Sequence, residues 1–104
     1  MVTGVTIVRK EFLEQHEAVV KAFLEEHRNS TDSINQDVNT GAALAVKAGI
    51  VAKEAIAQKA IPQCNITCIT GDEMKQALSK YLTVLDEFAS ELVGGAVPGE
   101  DFYY

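Results

Sequence analysis

The sequence predicts a small α+β fold that is predominantly helical, with about four helices and one or two short strands. Three observations point there. Apolar residues recur at three- and four-residue steps over Lys10 to Ile34 and again over Asp72 to Leu92. A β-branched run, VTGVTIV, occupies Val2 to Val8, and a second short run, NITCI, covers Asn65 to Ile69. Hydrophobic residues make up 47% and charged residues 23% of 104 residues, the balance of an ordinary globular chain, so a single domain spanning 1–104 is the expectation.

Thr3 to Val8 is the first predicted strand, with Val5, Ile7 and Val8 as its apolar side chains. Gly4 inside it marks either a bulge or a close approach to the backbone. A strand must find a ladder partner, and the other candidate in the chain is Ile66 to Ile69. The two therefore pair with each other, or the N-terminal strand pairs between molecules and makes a homodimer.

From Lys10 to about Asn35 the pattern is that of one helix. Phe12, Leu13, Val19, Val20, Phe23, Leu24 and Ile34 form its apolar stripe, and Glu14, Glu17, Lys21, Glu25, Glu26 and Arg28 fill the other side. Asn35 to Gly41 reads as a loop or cap region. A shorter helix then runs through Ala42, Leu44 and Val46 and closes at Gly49, a residue suited to the left-handed position after a helix. Ala52 to Ile61 is another short helix, stopped by Pro62, which has no amide to donate.

The last helix opens at Thr70-Gly71-Asp72-Glu73, which has capping-box spacing, with the threonine hydroxyl and the glutamate each serving an amide of the first turn. Its stripe of Met74, Ala77, Leu78, Tyr81, Leu82, Leu85, Phe88 and Leu92 predicts a core-facing side, and Gly94-Gly95 ends it. Pro98 to Tyr104 reads as an extended tail whose rings, Phe102, Tyr103 and Tyr104, pack back on the helices.

The chemistry-bearing residues are sparse. A formal net charge of −6, with nine Lys and Arg scattered along the chain, argues against nucleic acid and anionic lipid as partners. No apolar run reaches the ~20 residues of a membrane span, and Met1 is not followed by the basic and apolar segments of a secretion signal. As written, the chain is expected to stay in the cytosol.

Cys64 and Cys68 have no second pair of ligands at suitable spacing, so no metal is expected. On a strand they would lie about 13 Å apart, too far for a disulfide, and they read as two buried or half-buried thiols. His16 and His27 would be about 16 Å apart along one helix and read as parts of a solvated face. Gly71 and Asp72 open a helix, but the acidic Asp72 and Glu73 would repel an anion there. No nucleophile elbow or Cys-His signature is present, and the expectation is a non-enzyme with no cofactor.

One further pattern carries a functional expectation. From Ile61 onward, IPQCNITCITGDEMKQALSKYLTVLDEFASELVGGAVPGEDFYY sets a short extended segment, a G-D-E-M-K helix start, a long amphipathic helix, a Gly-Gly and a D-F-Y-Y terminus in one order. VTIVRKEFLEQHEAVVKAFLEEH precedes it. Together these resemble the C-terminal end of the type 2 periplasmic binding proteins of ABC importers for nitrate, sulfonates and thiamine precursors, with the first stretch similar to their return crossover into lobe 1. The family usually places a proline after the histidine of that stretch, whereas His16 is followed by Glu17.

The resemblance covers the whole chain and implies the C-terminal part of lobe 1, in a parent with two lobes that is exported, binds a small solute and delivers it to an ABC permease. It also implies that Thr3 and Gly4, at the start of the crossover, lie nearest the cleft and touch the ligand. The competing reading from the residues alone is a small helical module that joins a protein partner and has no ligand of its own.

Overall fold

The computed structural model describes residues 2–104, which fall into two compact units. One consists of residues 8–68. The other joins residues 2–7 to residues 69–104.

Four helices build the 8–68 unit: α1 (Lys10–Gln15), α2 (Glu17–Gln36), α3 (Val38–Lys47) and α4 (Glu54–Ala60), the last continued by a 3-10 turn at Ile61–Gln63. The long helix expected from Lys10 is interrupted at His16. There φ and ψ are −136° and 42°, the His16 amide still donates to the Phe12 carbonyl, and the His16 carbonyl already receives the amides of Val19 and Val20. The break therefore occurs without the proline that would have announced it.

The expected loop from Asn35 to Gly41 shrinks to one non-helical residue, Asp37. Its side chain replaces the missing intrahelical partners: Oδ1 accepts from the Thr40 amide at 3.1 Å and Oδ2 from the Thr40 hydroxyl at 2.6 Å. This is an N-cap, so α3 begins at once where α2 ends. At its other end α3 finishes as expected. Gly49 takes φ +75°, its amide donates to the Val46 carbonyl at 3.0 Å, and the Ile50 amide donates to Ala45 at 3.0 Å, the paired bonds of a Schellman motif.

The core of this unit is small. Ala42, Ala57 and Ile61 are buried together, with Ile34, Val38, Val51 and Ile66 partly buried against them. Alanines at the centre let the α3 and α4 backbones approach closely. Gly41 does the same between α2 and α3, since a Cβ there would lie 2.6 Å from Cγ1 of Ile34. The Asn35 amide group, donating to the Ile66 carbonyl at 2.8 Å, ties the segment after the 3-10 turn to α2.

The second unit is built around α5 (Gly71–Phe88), followed by 3-10 turns at Ser90–Val93 and Glu100–Phe102. Thr70 is the N-cap residue, but its hydroxyl makes no capping bond to the helix. Gly71 has φ +63° rather than a helical value, which turns the first amides away from the geometry a capping box requires. The helix ends at Phe88 rather than at the glycines. Ala89 is extended, Leu92 lies in a separate turn, and the left-handed Gly94 and Gly95 close that turn, with the Gly95 amide donating to Ser90 at 2.8 Å.

The α+β expectation is corrected here: among the described residues there is no β-strand, and the regular structure is helical. Neither residues 2–8 nor Ile66–Ile69 form a backbone–backbone hydrogen bond among the described residues. β-branched composition raises strand propensity, but a strand exists only with a ladder partner, and neither segment has one here. The tail also departs from an extended path, because Glu100–Phe102 forms a 3-10 turn.

Candidate functional site

Thr3 and Gly4 are exposed and lie outside regular structure, in the N-terminal segment of the α5 unit. Nothing lies within 4 Å of the position a Cβ would take on Gly4, so no close approach requires glycine there. The two residues are neighbours in sequence.

Both histidines are exposed, as expected, and His27 lies on a helix, but His16 does not. His16 is the junction between α1 and α2, not a point on one continuous helix, and its ring lies tilted at 44° against that of Phe12, with centroids 4.8 Å apart. His27 stands four residues after Phe23 on α2, and those rings are 5.8 Å apart. This Phe-to-His spacing of four, repeated eleven residues later, was legible in FLEQH and FLEEH. Its consequence is packing of each imidazole on its own helix turn.

Cys64 is exposed and Cys68 half-buried, and both are free thiols. Cys64 therefore lies further out than expected, because the helical turn from Ile61 leaves it at the surface, just before Asn65 enters the left-handed region at φ 50°. Among the described residues no group of three or more His, Cys, Asp and Glu is arranged to hold a metal ion.

The α5 unit carries the more structured polar features. An open depression of about 480 Å³ runs beside α5, lined by Glu73, Gln76, Ala77, Ser79 and Lys80. Ser79 donates to the Gln76 carbonyl at 3.2 Å, one turn back on the same helix. That contact is a local helix bond.

Lys75 forms an ion pair with Glu100, which joins the tail to α5. The hydrogen bond to Glu100 raises the Lys75 pKa above the ordinary lysine value, against the opposing effect of desolvation. Tyr103 is half-buried and packs edge-on against Phe102 at 5.3 Å, while Phe102 and Tyr104 remain exposed. The Tyr103 hydroxyl and Oδ1 of Asp86 are buried without a hydrogen-bond partner among the described residues.

Sequence reasoning missed both the Lys75–Glu100 pair and the Asp37 cap. The cap had a signal, an Asp three residues before Thr40 and directly before an apolar-periodic stretch. The pair had none, because its partners are twenty-five residues apart.

Large apolar side chains line the surface of both units. Ile7 and Phe88 are each 84% exposed and Ile50 is 77% exposed, with Phe12, Val19, Phe23, Leu44, Ile56, Val84 and Leu92 also open to solvent. No helix is long and apolar enough to cross a membrane among the described residues. No family model matches the chain, and no curated protein or solved structure matches it either.

Proposed function

We propose that this chain is the C-terminal portion of the solute-binding component of an ABC importer, of the group that takes nitrate, sulfonates or thiamine precursors. Its part in that protein is to complete lobe 1 with helices, and the chemistry is binding without bond making or breaking. The support is the whole-length resemblance of the sequence pattern, together with one structural observation: amphipathic helices whose apolar stripes are only partly covered. A piece of a layered lobe has that character, because the remaining layer comes from elsewhere in the protein.

On this reading Thr3 and Gly4 stand at the entry to the crossover and contribute only a fraction of the ligand contacts. A solute enclosed by two lobes draws polar groups from both, so this chain alone retains little affinity. Titration of the isolated chain with nitrate, taurine, alkanesulfonates and pyrimidine thiamine precursors should show binding no tighter than ~1 mM, about 4 kcal/mol of free energy. Saturable micromolar binding, with shifts away from Thr3 and Gly4, would overturn both the division between lobes and the site.

A second reading is favoured by a specific observation. Residues 2–8 are rich in β-branched side chains, almost wholly exposed, and form no backbone–backbone hydrogen bond among the described residues. A module that joins a second copy through this segment would present such an edge. Sedimentation equilibrium separates the two: dimerisation that Ile7→Lys abolishes would favour the module, and a monomer at every concentration would remove it.

A further inference from the structure

We draw no further inference here: the strongest candidate, the exposed apolar surface of Val84, Phe88 and Leu92 along the end of α5 and the turn after it, carries nothing because nothing in the structure shows what covers it.

Discussion

Asp37 does for α3 what the backbone cannot do for itself. The first amides of a helix lack intrahelical acceptors, and this carboxylate receives one of them while also accepting the Thr40 hydroxyl. Those bonds, the hydroxyl's first, hold its carboxyl below the usual carboxylate range. A group depressed in the folded state stabilises the fold above its unfolded pKa, and that contribution disappears as pH falls through the folded value. Helical ellipticity should therefore decline as pH drops below about 4, the region where an ordinary aspartate protonates. Asp37→Ala should start from lower helicity and show a flatter acid limb in the same circular dichroism titration. An acid limb identical to that of the wild type would mean that the cap does not form in solution.

Gly41 and Tyr103 give sharper tests at the same scale. Ala in a helix interior normally gains about 1 kcal/mol over Gly. At position 41 the added Cβ meets Cγ1 of Ile34, which cannot swing aside without rotating the whole side chain off the core. Overpacking costs about 1 to 3 kcal/mol, so Gly41→Ala should lower the urea midpoint despite the better propensity. Ile34→Ala in the same background should relieve the clash, making the double mutant less destabilised than the sum of the singles. At Tyr103 the hydroxyl is buried without a partner, and an unmade hydrogen bond penalises the fold. Tyr103→Phe should be neutral or stabilising by up to about 1 kcal/mol. A clear loss of thermal stability would show that the hydroxyl is engaged.

At the scale of elements, the amphipathic stripe of α5 was legible in the sequence, but its depth of burial was not. Leu78, Tyr81, Leu82 and Leu85 are half-buried and Phe88 is exposed, so the stripe faces its neighbours without being sealed by them. Truncating a fully buried leucine costs about 2 to 5 kcal/mol. Leu82→Ala should cost less, about 1 to 2 kcal/mol, in proportion to the apolar area it still covers. A denaturant midpoint shift in the fully buried range would place Leu82 in a core that these contacts do not form.

Periodicity reveals what is local along the chain. It located the helices because a 3.6-residue repeat is a local property, and it located Gly49 because only a left-handed residue closes that helix with paired bonds. It missed the break at His16, where no proline marks the change. It also predicted strands at Thr3–Val8 and Ile66–Ile69 from propensity, although a ladder depends on a partner that local sequence cannot supply. For the candidate site, the positions of Thr3 and Gly4 came from resemblance alone, and no local chemistry around them adds to it.

For the whole chain, the exposed surface is the quantity that matters. It amounts to 8088 Å². The cores are shallow: Ala42, Ala57, Ile61 and Val20 are the buried apolar residues among those described. Stability of the isolated chain should accordingly be marginal, and covering its apolar faces should raise it. The most direct test replaces the C-terminal portion of a solute-binding protein of the nitrate, sulfonate or thiamine-precursor group, from the return crossover onward, with this chain. Isothermal titration of the purified chimera with the host protein's own solute should give an affinity within about tenfold of the intact protein, a difference of about 1.4 kcal/mol. A chimera that fails to fold, or that folds and does not bind, would contradict the assignment of this chain to lobe 1.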